Sequence, residues 1–324
     1  MKEKKMLSFV IPCYRSEKTI SIVVDEIVDT MKTRPEYNYE IIMVNDGSPD
    51  NVWEKIQSIT RQNNNAVGLN LSKNYGQHSA LMAGYNNVRG DYIVSLDDDG
   101  QTPACEVFKL VDELEKGYDI VYASYPETKQ NIFRRIGSEF AKKTTDYMFD
   151  IKDDRKGSSF FVSKRFIIDE IVKYHNPYPY VVGLVLRVTR NIGVVTINQR
   201  NRLVGKSGYS LKRLFSLWIN GFTAFSIKPL KLGTYIGVFT AACGFVFALI
   251  TIIRKLFISP EMTAGWSSVI SVLLIIGGVV LVVLGLLGEY VGRIYMCINN
   301  APQYVIKDNT SDIKREVENR EQIN

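Results

Sequence analysis

Three aspartates stand side by side at Asp97, Asp98 and Asp99, directly after the apolar run Tyr92–Leu96 and before Gly100 and Gln101. Adjacent like charges repel, so folding alone does not select them. In extended backbone, residues i and i+2 point the same way, which would let Asp97 and Asp99 converge while Asp98 faces elsewhere. Two converging carboxylates call for a cation. Hard oxygen ligands suit Mg2+ or Mn2+, and such an ion takes one or two carboxylates and completes its shell with substrate phosphates. A solvated acidic turn, with Asp99 or Thr102 capping a helix begun at Pro103, accounts for the same residues, and the triplet alone leaves both readings open. A calcium loop of the EF-hand type is excluded: counted from Asp97, Thr102 and Phe108 stand where Gly and Glu are required.

A second polar segment, VNDGSPD, places Asp46 at the end of an apolar run. A carboxylate there can accept hydrogen bonds from a nucleobase or ribose, while Ser48 or Asp50 could equally cap the next helix. The chain has no G-x-x-x-x-G-K-[ST] loop and no G-x-G-x-x-G after its first apolar run, which argues against NTP hydrolysis and against a dinucleotide oxidoreductase. Cys13, Cys105, Cys243 and Cys297 are far apart and there are only 2 histidines, so neither a zinc site nor a disulfide framework is expected. The net charge of +6 fits work near phosphates or anionic headgroups, or simply a mildly basic surface.

These segments must be positioned by something. Strands are expected at Leu7–Ile11, Glu40–Val44, Ala66–Leu71, Tyr92–Leu96 and Ile120–Ala123, with helices at Ile20–Met31, Val52–Gln62, Ser79–Asn87 and Cys105–Lys116. That alternation predicts an α/β domain with a mostly parallel sheet covered on both faces. Ligands of such sheets bind beyond the carboxyl ends of the strands, where PCYRSE, NDGSPD, SKNYGQHS and DDDGQTP fall. Later, KGSSFFVSKRF reads as a strand leading into a helix and YHNPYPYVVG as a loop.

The last third changes character. Leu232–Ile253 is a charge-free run of about 22 residues, enough for roughly 33 Å of helix, and Val269–Leu287 is a second. Two such runs in tandem predict a transmembrane hairpin. The segment before it, with Leu211, Leu214, Phe215, Trp218, Phe222 and Phe225 at helical spacing, reads as interfacial helices. The expected organisation is a domain over 1–209, interfacial helices over 210–230, a membrane part over 231–292 with spans near 232–253 and 268–289, and a polar tail over 293–324, loose or a solvated helix from Lys307 on.

VIPCYRSE, VNDGSPD, NYGQHSALMAG and LDDDGQTP, in this order and spacing, resemble the GT-A (Rossmann-like) glycosyltransferases of family 2. GKSGY, GLLGEYVGRIY and the membrane runs narrow the resemblance to the polyprenol-phosphate branch: dolichol-phosphate mannosyltransferases and bacterial relatives that load undecaprenyl phosphate. The resemblance implies a metal-dependent, inverting transfer from a nucleotide sugar, uridine-linked in the bacterial members. Pro12, Tyr14 and Asp46 would bind the nucleoside, and Asp97, Asp98 and Gln101 the diphosphate and ribose side. Asp97 and Asp99 would hold Mg2+ or Mn2+, with Asp99 the principal ligand. Arg200, Arg202, Lys206 and Arg134 would meet phosphates of donor or acceptor.

Two departures stand out. Ser16 occupies the place of a nucleotide-contacting Glu, and Ser158 that of the acidic residue in the family's Gly-Asp-Phe-Arg segment, with Asp153 and Asp154 nearby. A lipid phosphate with a second pKa near 6 is already largely a dianion at neutral pH, so its attack needs positioning rather than a base. The expected setting is the inner (plasma) membrane, multi-pass, with the catalytic domain cytoplasmic because no export signal precedes it. Gly278, Gly285 and Gly292 recur every seven positions, which suggests a homo-oligomer. No nucleic-acid partner is expected. The alternatives are a processive glycan synthase, whose usual Q-x-x-R-W is absent here, and an inactive scaffold of the same fold.

Overall fold

The computed structural model describes residues 4–125, 158–198, 200, 265–312 and positions 233, 235–240, 242–246, 250 and 253. The chain divides into two compact units, Met1–Tyr209 with Asn300–Asn324, and Ser210–Asn299.

The first unit is built on an eight-stranded sheet in the order β7-β5-β6-β4-β1-β2-β3-β8. Its strands are β1 (Met6–Cys13), β2 (Asn38–Asn45), β3 (Ala66–Leu71), β4 (Tyr92–Ser95), β5 (Ile120–Ser124), β6 (Phe161–Lys164), β7 (Ile192–Thr196) and β8 (Ile306–Asn309). β1 pairs in parallel with both β2 and β4, β2 with β3, and β5 with β7. The mostly parallel sheet is therefore as expected, with β6 and β8 as antiparallel insertions. Central strands read as unbroken apolar runs because both of their faces are covered.

One face carries α1 (Ile20–Lys32), α2 (Val52–Gln62) and α4 (Val107–Leu114), which bury Phe9, Ile11, Ile41, Met43 and Val94 in the main core. The opposite face carries α3 (Gln77–Tyr85), packed on β1, β2 and β3. Contact there is close: a Cβ on Gly84 would lie 2.4 Å from Val10 Cγ1. α5 (Arg165–Ile171) packs on β4, β6 and α6 (Val181–Val188).

Some boundaries differ from expectation for identifiable reasons. β1 continues past Ile11 through Pro12 to Cys13. Its pairing with β4 ends at Val10 and Ser95, so the N–H that Pro12 lacks falls where no ladder remains. A short 3-10 turn, Ala104–Glu106, precedes α4. The tail read from Lys307 as loose or a solvated helix opens within a strand, Ile306–Asn309 (β8), and the apolar helix before it runs on to Ile298.

In the second unit, α7 (Trp266–Ile298) has 33 residues, about 50 Å of helix. Its segment Ile275–Ile298 has a mean hydropathy of 2.1 and none of it is buried. Among the described residues this is the one helix long and apolar enough to cross a membrane, and a shorter apolar helix spans Tyr235–Val246. The expected interfacial helices at 210–230 lie outside the described residues.

Candidate functional site

The order of strands reverses between β1 and β4: the chain steps from β1 outward to β2 and β3, then crosses back to β4 on the other side of β1. At such a switch point the loops after the two neighbouring strands diverge and leave a crevice at their carboxyl ends. The β1 loop, Tyr14–Glu17, and the β4 loop, Leu96–Gln101, meet there. Tyr14 donates its amide to Asp98 Oδ2 at 2.9 Å, so the two loops are joined directly.

The three aspartates face three different partners. β4 ends at Ser95, so strand alternation no longer governs them. Asp97 Oδ1 accepts from Gln77 Nε2 at 2.9 Å and its Oδ2 from the Ser159 hydroxyl, which ties the carboxylate to α3 and to the entry of β6. Asp98 is half-buried, and desolvation raises its carboxyl to about 6 against the pull of its hydrogen bonds. Asp99 Oδ1 accepts from the Gln101 amide at 3.0 Å, across Gly100 at φ 71°.

Asp46 is 3% exposed, and both of its carboxylate oxygens are engaged. They accept from the Tyr75 and Gly76 amides at 2.7 and 2.9 Å, while Asn74 Nδ2 donates to the Asp46 carbonyl at 3.1 Å. Burial raises this carboxyl too, to about 6. The neighbouring Gly47, at φ 56°, lies so close to the same loop that a Cβ would sit 2.4 Å from the Lys73 carbonyl carbon. Asp46 thus clamps the β3–α3 loop onto the β2 loop.

Pro12 is buried in β1, and Tyr14 is exposed with Arg15 over its ring. Arg15 holds φ 58°, a conformation uncommon for a side-chain-bearing residue and frequent at functional loops. Ser16, the departure noted above, is 3% exposed, with its hydroxyl beside Asp98 and Cys13.

Arg200 donates its amide to the Gln101 carbonyl at 3.0 Å, which puts its backbone beside the β4 loop. Its guanidinium turns to α1, where Nη1 meets Glu26 Oε2 at 2.9 Å. Ser158 accepts from the Phe160 amide at 3.2 Å. Arg134, Asp153, Asp154, Arg202 and Lys206 lie outside the described residues.

Sequence reasoning passed over Gln77 and Ser159. Gln77 was readable as a polar residue opening α3. Ser159 becomes visible only through the antiparallel pairing of Ser95 with Phe161, since two residues beyond that pair Asp97 faces Ser159. The Tyr122 hydroxyl and His78 Nδ1 are buried without hydrogen-bond partners among the described residues.

Chemically, the crevice offers a carboxylate-rich turn with hard oxygen donors next to two loops whose backbones are locked. Among the described residues no group of three or more His, Cys, Asp or Glu side chains is arranged to hold a metal ion. A Mg2+ or Mn2+ ion, for its part, needs only one or two carboxylates and takes its other ligands from phosphate and water.

Comparison with known proteins agrees with this geometry. The family profile described as "Glycosyl transferase family 2" matches residues 8–175, and the one described as "GtrB C-terminal hairpin" matches residues 228–294. An uncharacterised glycosyltransferase of Bacillus subtilis (strain 168), YkcC, is 33% identical over 308 residues, 93% of either chain. The undecaprenyl-phosphate 4-deoxy-4-formamido-L-arabinose transferase of Yersinia pestis (strain Pestoides F) is 32% identical, covering 94% of this chain and 93% of its own. Among solved structures, glucosyl-3-phosphoglycerate synthase of Mycobacterium tuberculosis, in complex with Mn2+, uridine diphosphate and phosphoglyceric acid, superposes with a TM-score of 0.52. It has 19% identity, over 66% of this chain and 75% of its own, a likeness of fold.

Proposed function

The chain belongs to glycosyltransferase family 2, and we propose that it moves a sugar from a uridine diphosphate sugar to undecaprenyl phosphate at the cytoplasmic face of the plasma membrane. The observation that carries this reading is one chain holding both a β1–β4 switch-point crevice and a 24-residue apolar helix. The first suits a water-soluble donor and the second a lipid acceptor. Full-length similarity to an undecaprenyl-phosphate sugar transferase supports the acceptor, and the Mn2+ and uridine diphosphate complex of a fold relative supports the donor.

In this reading the β1 and β4 loops, joined through Tyr14 and Asp98, cradle the nucleoside, with Pro12 beneath them and Gln101 toward the ribose and diphosphate. Asp97 and Asp99 would hold the divalent cation, which supplies charge neutralisation for the diphosphate as it leaves. Gln77 and Ser159 keep Asp97 oriented. An oxygen of the lipid phosphate attacks the anomeric carbon, the bond from that carbon to the donor diphosphate breaks, and configuration inverts. The dianionic acceptor carries no proton to remove, so no base is required, and Ser158 in place of an acid is tolerated. Arg200, Arg202, Lys206 and Arg134 are the candidate partners of the phosphates; Arg200 would have to leave Glu26 to serve. Gly278, Gly285 and Gly292 line one stretch of α7, and a Cβ on any of them would meet nothing within 4 Å, which suits close packing against a second copy.

The test is incubation of the purified protein with undecaprenyl phosphate, Mn2+ or Mg2+ and a panel of nucleotide sugars, with the mass of the lipid product as the readout. A single glycolipid is expected, and Asp99→Asn should lower its rate at least about a hundredfold. Absence of glycolipid from every donor would sink the assignment.

A further inference from the structure

β8 follows α7 closely in sequence, yet it lies in the sheet of the first unit, antiparallel to β3. The pairing is reinforced at both ends. The Ser72 amide donates to the Val305 carbonyl at 2.9 Å, and the Gly68 amide donates to Thr310 Oγ1 at 2.8 Å. Asp308, between them, begins a path through side chains. Its Oδ2 accepts from Asn70 Nδ2 at 2.7 Å, Asn70 Oδ1 accepts from Asn45 Nδ2 at 2.8 Å, and Asn45 Oδ1 accepts from the Ser48 amide at 3.1 Å. Ser48 Oγ in turn accepts from the Arg15 amide at 2.8 Å and donates to Asp50, whose Oδ2 accepts from the Glu17 amide at 3.1 Å. The path thus crosses from β8 over β3 and β2 into the β1 loop, whose Tyr14 amide is bonded to Asp98.

The polarity of this path is set alike at both ends, by a carboxylate that only accepts at Asp308 and by a backbone N–H that only donates at Ser48. A carboxylate only accepts, whereas an asparagine amide can present either its oxygen or its nitrogen. Asp308 obliges Asn70 to turn its NH2 outward and its oxygen to Asn45. Asn45 must then offer NH2 to Asn70 and its own oxygen to the Ser48 amide. Asn70 and Asn45 are 9% and 4% exposed, so neither has free solvent as an alternative partner. Without the carboxylate the Asn70 NH2 is left buried with its acceptor gone, and the Asn70–Asn45 pair that braces the Ser48 and Arg15 amides loses its anchor on β8.

We propose that Asp308 is a positioning residue for the donor nucleotide, acting through Asn70, Asn45 and Ser48 to order the β1 loop from the far edge of the sheet. The nucleotide part rests on the donor reading above; the ordering of the loop does not. Two measurements on the full-length protein separate them, each comparing the parent with Asp308→Ala and Asp308→Asn.

The first is hydrogen–deuterium exchange without nucleotide. Asp308→Ala should speed exchange in peptides covering Cys13–Glu17 and Asp46–Asp50 by about tenfold, the scale of one buried hydrogen bond lost. Peptides from the centre of β1 should stay unchanged. Asp308→Asn, which can still accept from Asn70, should remain near the parent. Unchanged loops in Asp308→Ala, or faster exchange across the whole sheet, would overturn the proposal. The second is the kinetics of sugar transfer: Asp308→Ala should raise KM for the donor about tenfold with kcat within about twofold, and Asp308→Asn should restore it. An equal fall in kcat with KM unchanged would overturn the positioning role. A parent protein that uses no nucleotide sugar would overturn the donor reading and the nucleotide's part in this proposal, while exchange would still decide the ordering of the loop.

Discussion

His78, in the first turn of α3, and Asp46, whose carboxylate holds the loop leading into α3, are titratable groups that burial moves in opposite senses. The His78 ring meets Tyr180 edge-on at 5.3 Å, and desolvation lowers its pKa to about 4. An imidazole whose folded pKa lies below its unfolded value is held neutral. Its stabilising contribution is complete above about pH 6.5 and is lost as pH falls toward 4. Asp46, raised to about 6, works the other way: as pH falls from 6 toward 3.8 the folded state binds its proton first and gains stability. The two windows overlap, so the parent's pH profile alone is not diagnostic. His78→Phe removes one of them. The stability of the parent relative to this variant should fall by about 2 kcal/mol between pH 7 and pH 4.5, measured by chemical denaturation at each pH. Parallel profiles would show that the imidazole is not held neutral. The same loop marks what could be read beforehand. The acidic turn at Asp97–Asp99 and the strand-end Asp46 are visible from residue type and position. That Asp46 spends both oxygens on the Tyr75 and Gly76 amides is not, because it depends on how two loops distant in sequence pack.

At the scale of elements, the end of the sheet opposite the crevice is held by one carboxylate. Glu40 on β2 is 1% exposed and accepts from the Ser8 hydroxyl at 2.6 Å, the Arg89 amide at 2.6 Å and Arg89 Nε at 2.8 Å. Ser8 Oγ in turn accepts from the Gly90 amide at 2.8 Å. β1, β2 and the entry to β4 are thereby fixed in register, and that register sets how the loops at the other end meet. Glu40→Ala would strand the Ser8 hydroxyl and the Arg89 amide and should cost about 2–4 kcal/mol, at about 1–3 kcal/mol for each donor left unsatisfied. Arg89→Ala leaves Glu40 its bonds to Ser8 and to the backbone and removes a mostly exposed guanidinium, so about 1 kcal/mol is expected. Equal losses in a denaturant titration would place the stabilisation in the ion pair instead. Elements of this kind differ in how legible they are. β1 to β5 announce themselves as apolar runs between turn residues, because strands covered on both faces must be apolar. β8 does not. IKDN has one apolar residue, and it is a strand because β3 offers a free edge to its backbone. β6 is legible as a strand but not as an antiparallel one, since its neighbours are chosen by the whole sheet.

At the scale of the molecule, the position of β8 constrains the membrane topology. β7 ends at Thr196 and β8 begins at Ile306, and both belong to one sheet. A chain that leaves a folded domain and returns to it must cross a bilayer an even number of times. α7 is long and apolar enough for one crossing. If α7 crosses, the other crossing falls before it, and the charge-free run Leu232–Ile253, where Tyr235–Val246 is helical, is long enough to provide it. The residues between the two runs should then face the side of the membrane opposite the sheet. In a variant with Cys105, Cys243 and Cys297 replaced by serine and the buried Cys13 retained, single cysteines at Thr263 and at Asp312 report on the two sides. A membrane-impermeant maleimide applied to intact cells should label Thr263→Cys and leave Asp312→Cys unlabelled until the membrane is opened. Labelling of Asp312→Cys in intact cells, or protection of Thr263→Cys, would require an odd number of crossings or a hairpin that never spans. Labelled Asp312→Cys would place the sheet and its donor crevice outside the cytoplasm, away from the leaflet in which the lipid phosphate is proposed to wait. Protected Thr263→Cys would instead leave the crevice beside that leaflet, on a hairpin that does not span.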